Sequence, residues 1–276
     1  MMRNLLFVVF AIMVMAGCTG NKTKPETVAK DTIDSIDTET DSVDSIISQT
    51  PMPKSADELF DDFFFNFAAN RKLQLKRIVF PLQVTDGKVN RAIQKNEWKM
   101  DHFFMHKEFY TVIFDNEKQM KLPKDTSVAN VIVEKVNLER NNVKQYVFER
   151  INGQFMLTKI NLGGFYQSAN ESFLKFYRKF AVDSAYQVES MEKEVKYIGP
   201  DPDDDFKTMV GVITPESWFG LSPELPSGVI YNIIYGQQYK QSNRKIFVIR
   251  GISNGLEVEL TFRKKSGKWK LVKLEN

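Results

Sequence analysis

The chain has 276 residues, of which 42% are hydrophobic and 26% charged, and its formal net charge is +3. This is an ordinary globular composition, long enough for one large or two small domains, and the small positive charge argues against nucleic acid as a partner. The single cysteine, Cys18, rules out a disulfide framework.

Residues 1–17 read as a signal peptide. Met1-Met2-Arg3-Asn4 is a basic start, Leu5 to Ala16 is an apolar stretch too short to span a bilayer, and Gly17 is a small residue before Cys18. The stretch Val14-Met15-Ala16-Gly17-Cys18 resembles the lipobox of bacterial lipoproteins, with Met15 where Leu or Val is usual. That resemblance implies cleavage before Cys18 and thioether lipidation of its sulfur. The other reading is an ordinary secretory signal with an incidental cysteine. With Cys18 lipidated, the expected location is the bacterial cell envelope. The exported part then has no thiol left for a disulfide and must be held by packing alone.

Residues 18–56 read as an acidic tether. They carry seven carboxylates against four lysines, have no aromatic residue, and run Asp-Ser-Thr-rich from Asp31 to Ile47. Such a segment cannot bury enough surface to offset its chain entropy, so it is expected to be disordered. A plain spacer is the simplest role. The near-helical spacing of Ile33, Ile36, Val43, Ile46 and Ile47 leaves room for a segment that folds on a partner.

From residue 57 the sequence repeats itself. Phe63-Phe-Phe-Asn-Phe67-Ala-Ala-Asn70 through Leu75 aligns without a gap, at a shift of 113, on Phe176-Tyr-Arg-Lys-Phe180-Ala-Val-Asp183 through Val188. Phe60, Phe63, Phe64 and Phe67, like Phe173, Phe176, Tyr177 and Phe180, follow the spacing of an amphipathic helix. Asp57 is a candidate cap for the first helix, and Ser168 or Asn170 for the second.

The ends of the repeats match too. Val143–Ile160 answers Glu257–Leu274 at a shift of 114. Each reads as strand, Asn152-Gly153 or Ser266-Gly267 turn, and strand, which is a β-hairpin. Val131 to Glu139 and Lys245 to Ser253 read as the strands before each hairpin. The middles are less alike, although Glu97-Trp98 and Ser217-Trp218 correspond. The domains are therefore expected at 57–163 and 164–276, each an α+β unit with an N-terminal helix packed on a curved antiparallel sheet.

This arrangement, with its closing phrase Trp269-Lys-Leu-Val-Lys273, resembles the nuclear-transport-factor-two-like (NTF2-like) superfamily, the cone-shaped fold shared with ketosteroid isomerase. It also looks like a family of uncharacterised Bacteroidales lipoproteins that carry this fold. The resemblance spans 57–276 and implies two tandem cones. It is nearly silent on activity, because its motifs are those of the fold. In that bacterial group, acidic residues just after the lipidated cysteine mark surface export. Here Thr19-Gly-Asn-Lys-Thr-Lys24 follows, which favours the periplasmic side.

Three sets of residues are candidates for a site. His102 and His106 share a face at i and i+4 if helical, with Asp101 or Glu108 able to add oxygen, which suits a metal ion. The segment lacks the internal Glu of a zinc protease, and the alternative is two surface or half-buried histidines around Phe103-Phe104-Met105. Asp201-Pro-Asp203-Asp-Asp205 imitates the start of a calcium loop, but Phe206 stands where Gly is needed and Val212 where the bidentate Glu belongs, so a solvated turn is the better account. The superfamily resemblance implies a cavity at the open end of each cone. Trp98, Phe103, Phe109, Tyr110, Trp218, Tyr231 and Tyr235 would line it, or simply fill it.

No acid or base matches the catalytic pattern of ketosteroid isomerase, and no Ser-His-Asp order or phosphate loop is present. No cofactor and no metal are expected. The leading expectation is a lipid-anchored, non-enzymatic module that binds an envelope protein or glycan. A binder of small apolar ligands, or an enzyme with an acid or base in the cavity, are the alternatives.

Overall fold

The computed structural model describes residues 58–237 and 242–276, so Cys18, the acidic segment and Asp57 lie outside the described residues. The first half begins with α1 (Phe60–Ala69) and α2 (Arg71–Lys76). The strands β1 (Ile78–Asp86), β2 (Val89–Ile93), β3 (Phe109–Phe114), β4 (Asn130–Asn137), β5 (Asn142–Ile151) and β6 (Gln154–Gly164) follow. The second half repeats the order: α3 (Glu171–Phe180), α4 (Ser184–Glu189), β7 (Met191–Asp201), β8 (Asp204–Ile213), the short α5 (Trp218–Leu221), β9 (Val229–Ile234), β10 (Arg244–Gly251), β11 (Glu257–Lys265) and β12 (Lys268–Glu275).

Each predicted helix is two helices with a break between them. Asn70 and Asp183 sit at the breaks, and their side chains accept the amides of Leu73 and Tyr186, so each caps the second helix. The predicted cap Asn170 does occupy the N-cap of α3, but its side chain does not cap the helix. It accepts instead from Lys245, at 2.5 Å.

The two hairpins form as their turn residues dictate. Asn152 and Gly153 have φ of 50° and 78°, and Ser266 and Gly267 have 48° and 80°. Two successive positive φ values give the turn whose twist matches that of the flanking strands. Both hairpins also carry a register shift at the same place, between Val147 and Phe148 and between Thr261 and Phe262.

The sheets are mixed, not antiparallel as expected. β1 runs parallel to β6, and β7 runs parallel to β12. A strand that follows the helices must find the last strand of its half, far away in sequence, and no local turn signal announces that pairing.

A second difference concerns the boundary between halves. One sheet has the order β2-β1-β6-β5-β4-β9 and the other β3-β10-β11-β12-β7-β8. Each half thus gives one strand to the other half's sheet: β3 pairs with β10, and β9 pairs with β4. The repeats are tandem in sequence but interlocked in space.

Two aromatic-rich cores result. Phe60, Phe63, Phe64 and Phe67 of α1 meet Phe103, Phe148 and Phe155 under the first sheet. Phe173, Phe176, Tyr177 and Phe180 of α3 meet Trp218, Phe262 and Trp269 under the second. A fully buried Phe contributes on the order of 2–3 kcal/mol, so these rings do the stabilising work that a cysteine-free body needs. The exchanged strands serve both cores: Tyr110, Val112 and Phe114 point to the first, whereas Ile113 belongs to the second. Burial on both faces explains why Phe109–Phe114 and Val229–Ile234 are nearly continuous apolar runs.

Candidate functional site

Where β3 and β9 cross, each is the edge of its own sheet. Their unpaired backbone groups would be costly if buried without partners. Two side chains supply the partners. Thr111 donates its hydroxyl to the carbonyl of Tyr231 at 2.5 Å and accepts that residue's amide at 3.2 Å. Asn232 accepts the amide of Ile113 at 2.9 Å and donates to the Glu134 carboxylate at 2.9 Å.

Glu134 is fully buried on β4 and takes two more donors, Gln145 at 3.0 Å and Ser168 at 3.1 Å. Burial raises its carboxyl above the usual range, although these three donors and the nearby Lys245 pull it down. Lys245 itself, on β10, is buried against Asp115 at 2.5 Å. These polar groups are mutually satisfied, so they serve as the seam between the halves.

Two further polar clusters lie nearer the surface. Tyr235, just after β9, donates to Asp61 of α1 at 2.7 Å, another link across the halves. Burial lifts the Asp61 carboxyl from 3.8 to about 6, against the pull of Tyr235 and Arg250. Asp101 accepts the Tyr146 hydroxyl. Its burial is outweighed by that bond, by the Phe103 amide and by Lys144 and Lys135, which together hold the carboxyl below its usual value.

His102 and His106 lie in the turns just before β3, not on a helix. Their rings approach to 4.4 Å between centroids, and both residues are exposed. Among the described residues, no group of three His, Cys, Asp or Glu is arranged to hold a metal ion. Asp201 and Asp203 form the β7–β8 turn, in which Asp201 accepts the amide of Asp203 at 2.9 Å.

The candidate lining residues are all buried, except Phe109, which is half-buried. Trp98 and Trp218 hold equivalent places. Trp98 donates its indole N–H to Gln74 at 3.0 Å and Trp218 to Gln187 at 2.9 Å, and the two glutamines are themselves related by the shift of 113. Phe103 packs on Phe64 and Tyr146, Phe104 stacks on Tyr110, and Tyr231 meets Phe104 edge-on. Tyr235 meets Phe60 edge-on. These rings sit inside the cores among one another.

Among the described residues, sealing β3 against β9 leaves one open edge on each sheet, β2 on the first and β8 on the second. They differ in length and surface. β2 has five residues, with Asn90 and Arg91 at its middle. β8 has ten, and its alternate positions Phe206, Val210 and Val212 are 100%, 66% and 57% exposed. An edge that long and apolar is a template for a further strand. Sequence patterns of acids, bases and ligands do not point to this edge. The alternation Phe206, Val210, Val212 on a strand beginning at Asp204 was the available signal.

Residues 39–276 match the family described as Domain of unknown function (DUF4348). The chain is similar to the crystal structure of an NTF2-like protein from Bacteroides fragilis NCTC 9343, with 40% identity and a TM-score of 0.73, covering 82% of this chain and 98% of that one. It is also matched by an NTF2-like protein of unknown function from Shewanella baltica OS155 at 15% identity and a TM-score of 0.24, over 40% of this chain and 90% of that one. No curated protein matches it.

Proposed function

This chain belongs to the DUF4348 family and has the NTF2-like α+β fold, and on that premise we propose that it is a lipid-anchored docking module of the bacterial envelope. Cys18 holds it to the membrane, on the periplasmic side, and the segment 18–56 sets its reach. The interlocked body then presents β8 to an extended, apolar segment of a partner protein, which adds to the sheet as a further strand.

The observation that carries this reading is the contrast between the edges. The chain seals β3 and β9 with dedicated side chains but, among the described residues, leaves open a ten-residue strand that exposes Phe206, Val210 and Val212. The aromatic filling of both cores supports it further, because the candidate lining residues are spent on packing against one another. Backbone hydrogen bonds along β8 would give affinity, and contact with Phe206, Val210 and Val212 would favour apolar side chains at alternate positions of the partner.

The test is the size of the full chain extracted from its own membranes in mild detergent. Wild-type protein should sediment as a complex larger than the chain alone. The double variant Val210→Lys/Val212→Lys, which places charge on an exposed edge without touching a core, should sediment as the single chain. An unchanged size distribution in a folded double variant would contradict the reading.

A further inference from the structure

The two halves differ at the N-terminal end of their first helices, and we propose that the second half binds a small oxyanion there. Arg150 and Phe155 are cross-strand partners on β5 and β6, and Lys264 and Trp269 are their equivalents on β11 and β12. In the first half the space is filled. The Arg150 guanidinium lies 4.3 Å from the Phe155 ring centroid and donates to the carbonyls of Glu58, Thr126, Val128 and Gly153. In the second half the shorter Lys264 lies 5.7 Å from the Trp269 ring centroid and donates to the Ser172 hydroxyl at 2.9 Å, and a pocket of about 230 Å³ remains.

The polar walls of this pocket are mostly donors, with Glu171 its one carboxylate. The first turn of α3 forms one side; the Ser168 carbonyl takes the Glu171 amide, and no side chain caps that ten-residue helix, so its positive end faces the pocket. Lys264 forms another side and has no carboxylate partner among the described residues. Asn170 lies at the back, 1% exposed. Its Oδ1 accepts from Lys245, while its Nδ2 finds no acceptor among the described residues. A buried amide donor is costly to leave unmade, and an acceptor in the pocket would complete it.

The negative groups nearby are already engaged. Asp115 pairs with Lys245, which takes the place held by the apolar Val131 in the first half. Glu171 accepts from Lys175 at 2.6 Å. A helix end, a lysine, a serine hydroxyl and an orphan amide together fit a phosphate or sulfate group, free or carried on a sugar. Trp269 is the one aromatic wall besides Phe173.

The chain's three tryptophans allow a direct test. Full-length protein labelled with fluorotryptophan, in detergent, is titrated with inorganic phosphate, sulfate, glucose 6-phosphate and glucose at constant ionic strength set by chloride. The Trp269 fluorine resonance should move and saturate with the anions, while those of Trp98 and Trp218, bonded to glutamines in the cores, should stay. Tighter binding of glucose 6-phosphate than of phosphate indicates a sugar-borne group, and equal binding indicates the free ion. Lys264→Gln should weaken binding roughly tenfold or more, and Ser172→Ala should weaken it less. The Trp98 and Trp218 resonances report that each variant is folded. The proposal is overturned if Trp269 does not respond saturably, if all three resonances drift together, or if both variants bind like the wild type.

Discussion

The side-chain oxygen of Asn232 on β9 accepts the backbone amide of Ile113 on β3 at 2.9 Å. This bond joins two strands that came from opposite halves of a duplicated sequence and entered opposite sheets. It replaces the ladder bond that an edge strand lacks, and it hands its remaining donor to the buried Glu134. The consequences can be measured.

Asn232→Ala should be among the most damaging polar substitutions in the body. It removes the side-chain acceptor of the Ile113 amide and a donor from a buried carboxylate, at a cost of roughly 2–4 kcal/mol. Asn232→Asp should be worse near neutral pH, because it sets a second carboxylate beside Glu134, and should recover in acid. Chemical denaturation of the two variants at pH 5 and pH 7 gives the comparison.

The exchange of β3 and β9 predicts that neither half folds alone. Residues 57–163 without β9 lack the strand that covers β4, and residues 164–276 without β3 lack the strand beside β10. Each fragment should show poor dispersion in a proton–nitrogen spectrum, and co-expression of the two should restore a folded, paired product. Two independently folded fragments would mean that the exchanged strands are dispensable.

Asp61 gives a pH dependence with a definite sign. Folding raises its carboxyl from 3.8 to about 6, so its contribution favours the folded state fully below 3.8 and is lost as the pH climbs through 6. The amount is at most about 3 kcal/mol. Asp61→Asn keeps the shape and cannot ionise, so the variant should gain stability relative to wild type between pH 4 and pH 7. Parallel denaturation curves across that range check it, and a constant difference between the two proteins would count against the raised carboxyl.

Cys18→Ala should abolish labelling by radioactive palmitate and release the protein from the membrane fraction. The body should remain folded, because its cores contain no thiol. Retention of the variant on membranes would point to an anchor other than lipid.

What could be read from the sequence was what is local. Asn152-Gly153 and Ser266-Gly267 announced the hairpins because their φ angles demand such residues. The repeated Phe spacing announced α1 and α3 for the same local reason. Pairings across long sequence distance were silent: nothing near Ile78 says that β1 will lie parallel to β6, and nothing near Phe109 says that β3 will cross to the other half. A trace of the crossing was nonetheless present. Thr111 and Asn232 interrupt two apolar runs, and a polar residue at the middle of a doubly buried strand needs a partner. The oxyanion pocket left a fainter sign, the change from Arg150 to Lys264 between otherwise matching hairpins. That change has meaning only once the first half shows what the longer side chain fills.

The most direct measurement of the docking edge is site-specific photocrosslinking in living cells. A photoreactive residue replaces Val210 on β8 in one strain and Asn90 on β2 in another, both in the full-length, lipidated chain. Position 210 should yield a discrete adduct with a partner protein, and Val212→Lys in the same chain should remove it, while position 90 yields none. An adduct at twice the chain's own mass would identify the partner as a second copy. No discrete adduct at 210, or equal adducts at 210 and 90, would contradict the assignment of β8 as the docking strand.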